Sequence, residues 1–168
     1  MLLTNIIRTQ EDAVRSLIDD KQIIGMFQNP SEWGPRALGN RSIIFDPRHP
    51  EAKQIVNEVK KREHYRPFAC TVLKEHAHEY FEMLQLEESP WMSFAIQAKQ
   101  KAYDEIPSLV HADGTCRIQT VTQEQNPNYY NLIKAFGDET GTPILFNTSF
   151  NLGGEALVET IYDAMDTC

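Results

Sequence analysis

The sequence predicts an α/β (α+β) domain built on a mixed sheet flanked by helices, and three observations carry that prediction. Short apolar runs of strand character interleave with longer stretches of helical period. Helix boundaries carry their own chemistry, at Thr9, Asn126 and Gly141. The 168 residues hold no internal repeat, low-complexity tract or linker, so one domain over 1–168 is expected, with enough chain to bury a substantial core.

The elements follow in order. Residues 9–20 read as a helix, with Thr9 as N-cap, Asp12 in the acidic first turn and Val14, Leu17 and Ile18 as the apolar stripe. Gln22 to Gln28 reads as a buried strand, 29–36 as a loop and Arg41 to Phe45 as a short strand. Pro50 to Glu63 has helical pattern, with Pro50 near its first turn and Ile55, Val56 and Val59 on one face. Pro67 to Leu73 is a strand, Glu75 to Leu84 a helix and Met92 to Gln97 a strand. Residues 99–114 read as loop, closing on the turn signal His111-Ala112-Asp113-Gly114. Cys116 to Val121 alternates as a strand. Pro127 to Thr140 is a helix capped by Asn126 and stopped by Gly141. Pro143 to Phe146 is a buried strand running into the polar loop Asn147-Thr148-Ser149-Phe150-Asn151, and a last helix starts near Thr160.

Composition narrows the functional classes. A net charge of −8 disfavours broad nucleic-acid binding through phosphate neutralisation. No run approaches the roughly 20 apolar residues of a membrane span, so no membrane partner is expected. The start, Met1 to Asn5, lacks the features of a signal peptide, which points to the cytoplasm. Three cysteines without CxxC spacing argue against a disulfide framework or a zinc site, and Cys70 and Cys116 sit in strand patterns as small core residues. The distribution of cations says more than their number. Eight of the sixteen Lys and Arg fall between Arg36 and Arg66, which is how an acidic chain builds a local anion site.

Four segments could carry chemistry. In Gly34-Pro35-Arg36-Ala37-Leu38-Gly39-Asn40-Arg41-Ser42, two glycines let backbone N–H groups approach an anion, and two arginines offer planar forks for phosphate or carboxylate. The loop is not a Walker motif, and a plain turn with exposed arginines reads equally well from these residues alone. In Lys60-Lys61-Arg62-Glu63-His64-Tyr65-Arg66-Pro67-Phe68, the first three cations have an alternative reading as charges in a last helical turn. Arg66, held extended before Pro67, is the better aimed side chain. Asn147, Ser149 and Asn151 gather after a buried strand, where open α/β sheets place ligands. His111 and Asp113 are too few for a metal site, so polar ligand contacts are expected there, with Arg117 along the next strand. Trp33 and Trp91 are expected to pack, with Trp33 able to flank the site. Ser149 lacks a nucleophile elbow, which speaks against a hydrolase.

These four segments, in this order, resemble the C-terminal domain of the nodulation and antibiotic O-carbamoyltransferase family, over nearly the whole chain from about residue 10. The quoted matches are Glu32 to Ser42, Arg62 through Ala69, His111 to Thr115 with Arg117, and Asn147 to Asn151 with Gly154-Glu155. That domain looks like the YrdC fold of threonylcarbamoyl-adenylate synthases, whose Lys-x-Arg and Ser-x-Asn elements appear as Lys60-x-Arg62 and Ser149-x-Asn151. The chain departs from the family at Asn29-Pro30, where a glycine and a basic residue are usual.

The resemblance implies a twisted open mixed sheet with a basic concave cavity, where ATP with Mg²⁺ and carbamoyl phosphate give carbamoyl-adenylate and pyrophosphate. It implies Lys60, Arg62, Arg36 and Arg41 as the catalytic cations, with no metal held by the domain alone. Arg66, His111, Arg117, Asn147, Ser149 and Asn151 become the substrate- and nucleotide-binding residues. It also implies a larger N-terminal carbamoyl-transfer domain of actin/hexokinase-like fold, met in cis or in trans, because none of it is present in this chain. The first half-reaction is then the most expected here. The alternative is a non-catalytic nucleotide- or RNA-binding module of the same fold, with RNA disfavoured by the charge.

Overall fold

The computed structural model describes residues 6–168, so the Met1–Asn5 stretch read as lacking a signal peptide lies outside them. Among the described residues the order of elements is α1 (Gln10–Ile18), β1 (Ile24–Phe27), β2 (Arg41–Phe45), α2 (Ala52–Val59), β3 (Ala69–Leu73), α3 (Ala77–Tyr80), β4 (Ala95–Gln97), α4 (Gln100–Glu105), β5 (Thr115–Val121), α5 (Pro127–Thr140), β6 (Ile144–Ser149) and α6 (Ile161–Thr167). The six strands form one open sheet in the order β1-β2-β6-β3-β5-β4. Only β3 and β5 run parallel; the other four pairings are antiparallel, which makes the sheet mixed and the fold α+β. No helix here is long and apolar enough to cross a membrane.

Each face of the sheet buries its own core. On one face Ile43, Phe45, Cys70, Val72, Ile118 and Phe146 pack with Val56 of α2, Tyr80 of α3, Ala102 of α4 and Ala164 of α6. On the other, Ile44, Leu73, Val121 and Leu145 pack with Leu17 of α1 and with Tyr129, Ile133 and Phe136 of α5. Period-two alternation produces this division, sending neighbouring residues of each strand to opposite layers. Cys70 and Cys116 are buried free thiols within the first core.

The helix signals in the sequence are realised as caps. Thr9 Oγ1 accepts from the Asp12 amide, and the Asn126 side chain accepts from the Tyr129 amide. Gly141 ends α5 in the left-handed conformation at φ 78°. Thr160 and Asp163 form a reciprocal capping box on α6.

Tertiary packing overrode pattern in several places. The helix expected over 75–84 is a 3-10 turn (Lys74–His76) followed by the four residues of α3, because the chain turns extended at Phe81 to bridge Ala98. The stretch 99–114 contains α4 and a 3-10 turn at Pro107–Leu109, where the fully buried Ala102 and Leu109 supply an anchorage too sparse to give a period. The strand expected from Met92 begins only at Ala95, since Met92 sits at φ 53°. Asn147, Thr148 and Ser149 belong to β6 rather than to a loop; β2 pairs with all three and β3 with Asn147.

The helix read over 50–63 is α2, and it stops at Val59, which is 45% exposed instead of lying on the apolar face. Lys60 is its C-cap, and Lys61 at φ 52° turns the chain. The Lys61 amide donates to Glu58 O and the Arg62 amide to Asn57 O, the paired bonds of a Schellman end. Trp33 and Trp91, expected to pack, are both exposed, Trp33 fully.

Candidate functional site

The end of α2 and the end of β6 are clasped together by one lysine. Lys60 is 2% exposed, and its Nζ donates to Ser149 O at 2.6 Å, Asn151 O at 2.8 Å and Asn151 Oδ1 at 3.0 Å. Ser149 Oγ donates in turn to Asn151 Oδ1 at 2.6 Å, so the two side chains of the Ser-x-Asn element are locked to each other and to the lysine. The Gly153 amide donates to Lys60 O at 2.6 Å. A Cβ on Gly153 would stand 2.9 Å from the carbonyl oxygens of Lys60 and Lys61, so the close approach of this loop requires glycine. Burial, and then the charge of Arg62, pull the Lys60 ammonium down from 10.5 to about 8.

Arg62 extends the cluster. Its Nε donates to Asn57 Oδ1 at 2.5 Å and its Cζ lies 4.0 Å from the centre of the Phe68 ring. Its Nη2 is buried without a partner. Burial, with Arg66 second, lowers its pKa to about 10. Asn57, itself fully buried, also donates from Nδ2 to the carbonyls of His64 and Arg66, so one amide shapes the whole 62–66 loop. Sequence reading passed over Asn57; a polar residue beside Val56 on an amphipathic helix was the available signal.

The second group of cations lies on the sheet face. Asn147 and Ser149 alternate onto one face of β6, and Asn147 is in register with Ala69, which is in register with Arg117. Two strand spacings put Asn147 and Arg117 about 10 Å apart on that face. Above them runs the 33–40 loop. Asn147 Nδ2 donates to Ala37 O at 3.3 Å, Thr71 Oγ1 at 2.9 Å and Gln119 Oε1 at 3.2 Å, and Gln119 Nε2 donates to Leu38 O at 2.9 Å. Arg36 is exposed on this loop. Burial and the charge of Arg36 hold the Arg117 guanidinium below its usual value. Thr71 and Gln119 were not singled out in the sequence, although Gln119 shares its strand face with Arg117 by simple alternation.

The remaining predicted residues are placed differently. Arg41 is 4% exposed, with its guanidinium 3.6 Å from the Phe27 ring centre and donating to the carbonyls of Gln28, Asn29, Asn40 and Glu159. His111 has Nε2 3.0 Å from Phe68 O and Nδ1 3.2 Å from Thr115 Oγ1. Asp113 accepts from the Thr115 amide and hydroxyl, which makes it a turn former. Arg66 is exposed and pairs with Glu63 at 2.7 Å. Lys60, Arg62, Ser149 and Asn151 are thus brought together, and Arg36, Arg117 and Asn147 form a second group joined to the first only along β6. Arg41 bonds to the backbone, while His111 contacts Phe68 O and Thr115.

The glycine loop itself differs from its reading as a phosphate cradle. The N–H groups of Leu38, Asn40 and Arg41 point at the chain's own Glu32 carboxylate. Gly39, at φ 109°, is needed because a Cβ there would stand 2.2 Å from the Tyr129 ring.

Among the described residues, no group of three His, Cys, Asp or Glu is placed to hold a metal ion. Nor does any carboxylate form an ion pair with Arg36, Arg41, Lys60, Arg62 or Arg117 among those residues. A shallow depression of about 490 Å³ lined by Pro50, Glu51, Lys53, Gln54 and His64 contains none of these cations.

Comparison with known proteins places this arrangement among relatives. Residues 15–168 match the family model described as carbamoyltransferase C-terminus. The chain is 43% identical to nodulation protein NolO of Bradyrhizobium diazoefficiens over 96% of its own length and 30% of that protein. It is 47% identical to nodulation protein NolNO of Sinorhizobium fredii over 89% of its length and 22% of that protein. The chain therefore spans under a third of the curated relatives it matches. Among solved structures, full-length HypF, crystallised in a phosphate- and nucleotide-bound form, superposes with a TM-score of 0.62 at 16% identity, over 98% of this chain and 20% of that one.

Proposed function

This chain belongs to the carbamoyltransferase C-terminus family, and from that premise we propose that it binds ATP and carbamoyl phosphate and forms carbamoyl-adenylate for transfer to an acceptor hydroxyl. One observation carries the reading. In a chain of net charge −8, Lys60 is bonded to Ser149 and Asn151, Arg62 lies within reach of its charge, and Arg117 shares a sheet face with Asn147; neither these three cations nor Arg36 has a carboxylate ion-pair partner among the described residues. Cations without carboxylate partners are the complement of a polyanion. The bound state of HypF, a phosphate with a nucleotide, is the same ligand class on a shared fold.

In this reading carbamoyl phosphate, water and ATP become carbamoyl-adenylate, phosphate and pyrophosphate. Water displaces the phosphate of carbamoyl phosphate to leave carbamate. A carbamate oxygen then bonds to the α-phosphorus of ATP as the bond from that phosphorus to the α,β-bridging oxygen breaks, releasing pyrophosphate. The chain's residues act by positioning and by charge. Arg36 and Arg117 bind the phosphates from the loop and the sheet. Arg62 stabilises charge on the leaving pyrophosphate. Lys60 holds Ser149 and Asn151, whose polar atoms orient the carbamoyl group. Arg66 and His111 border the site, and Arg41 stiffens its wall. ATP would be bound as its Mg²⁺ complex, the metal supplying charge neutralisation. The acceptor hydroxyl is reached through an N-terminal carbamoyl-transfer domain, in cis or in trans.

Titration calorimetry tests the binding claim. Mg-ATP and carbamoyl phosphate are expected to bind the chain, and Arg36→Ala with Arg117→Ala to abolish the ATP isotherm. Binding of duplex RNA with a steep salt dependence, and none of ATP, would instead identify a nucleic-acid module.

A further inference from the structure

We propose that Glu32 is the internal anion that shapes the 33–40 loop and a positioning residue for Arg36, an inference that rests on the ATP-binding reading above. One oxygen does most of the work. Glu32 Oε1 accepts from the amides of Leu38 at 2.7 Å, Asn40 at 2.6 Å and Arg41 at 3.4 Å. Successive N–H groups converging on one oxygen form the concavity that proteins use for phosphate. Here it is filled from within, by a carboxylate six to nine residues upstream. Oε2 is buried without a hydrogen-bond partner, and among the described residues no cation forms an ion pair with Glu32. Charge-assisted N–H bonds alone hold it.

What this anion fixes is the loop that carries Arg36. With three amides drawn onto Glu32, Gly39 lies on the Tyr129 ring, Ala37 O faces Asn147 and Leu38 O faces Gln119. The backbone of the loop is thereby committed inward, and the Arg36 side chain is left outside, near Arg117. Two guanidinium groups repel each other, and no carboxylate pairs with either among the described residues, so their approach has to be imposed by the backbone. Glu32 supplies that constraint. It is a brace and not a stand-in for substrate, because the same oxygen serves three amides of a loop that is bonded to the sheet at two further points.

The test compares Glu32→Ala with Glu32→Gln by ATP titration and by amide exchange at Leu38 and Asn40. Glu32→Ala is expected to weaken Mg-ATP binding at least tenfold and to release both amides to exchange. Glu32→Gln, whose carbonyl oxygen can accept from the same donors, is expected to restore most of the affinity and the protection. Tighter ATP binding by Glu32→Ala would show that the carboxylate competes with phosphate for the amides, and unchanged binding would show that it positions nothing; either overturns the proposal. Should the unaltered chain bind no ATP, the ligand reading fails, and the exchange data alone decide whether Glu32 braces the loop.

Discussion

Lys60 Nζ lies 2.8 Å from Asn151 O and 3.0 Å from Asn151 Oδ1, so a residue at the end of α2 fixes a loop 91 residues away in sequence. The contact turns the Lys-x-Arg and Ser-x-Asn elements into one object. It also gives the lysine a role that stands apart from any direct contact with substrate. Replacing Lys60 by Met keeps the bulk but removes the donor that joins α2 to Ser149 O, Asn151 O and Asn151 Oδ1, leaving partly buried Asn151 O without a partner. The expected cost is about 1–3 kcal/mol, read as a lower urea midpoint at unchanged m-value.

The same lysine predicts opposite pH trends for stability and binding. Its folded-state pKa is about 8 against an ordinary 10.5, so between those values the unfolded chain binds more protons. Its contribution to stability is therefore full above 10.5 and lost as pH falls through about 8. Binding of Mg-ATP should run the other way, weakening as pH rises through about 8 and one ammonium charge disappears. Calorimetric titrations from pH 6.5 to 9.5, each value about evenly spaced, should show that limb in the native chain and not in Lys60→Met.

Two arginines of one loop should separate binding from stability. Arg36 is exposed, so Arg36→Ala should change stability by no more than about 0.5 kcal/mol while removing ATP affinity. Arg41 donates to four carbonyls from beneath the Phe27 ring, so Arg41→Ala should destabilise by about 3 kcal/mol. Thermal melts beside ATP titrations of both variants check the contrast. Equal stability losses would remove the distinction between bracing and binding.

Gly39→Ala should be among the most damaging small changes in the chain. The new Cβ would meet the Tyr129 ring at 2.2 Å in a backbone already at φ 109°. A cost of about 3 kcal/mol is expected from overpacking and strain together, a fall in Tm on the order of 10 °C.

Much of this was legible in the sequence because the signals were local. Thr9, Asn126 and Gly141 announced their helix ends, and Arg41–Phe45 was recognisable from its apolar run between polar loops. The pieces of the Lys60–Ser149–Asn151 cluster were legible as motifs, but their bonding depends on how α2 meets β6. The stop of α2 at Val59 was hidden because a lysine, not glycine, takes the left-handed position at residue 61. The internal anion Glu32 was hidden for a related reason: a carboxylate beside Trp33 carries no sign that it will fold back on amides six to nine residues later. Asn57 and Gln119 belong to no motif, and only the packing of the 62–66 loop on α2 and the register of β5 show what they bond.

The most direct measurement is carbamoyl-phosphate-dependent exchange of labelled pyrophosphate into ATP, with the chain alone and with an N-terminal domain from a full-length relative. Exchange that requires carbamoyl phosphate and disappears in Arg36→Ala with Arg117→Ala is the predicted result. No exchange under either condition, from a folded chain that binds neither ATP nor carbamoyl phosphate, would contradict the assignment of these cations to a shared anion site.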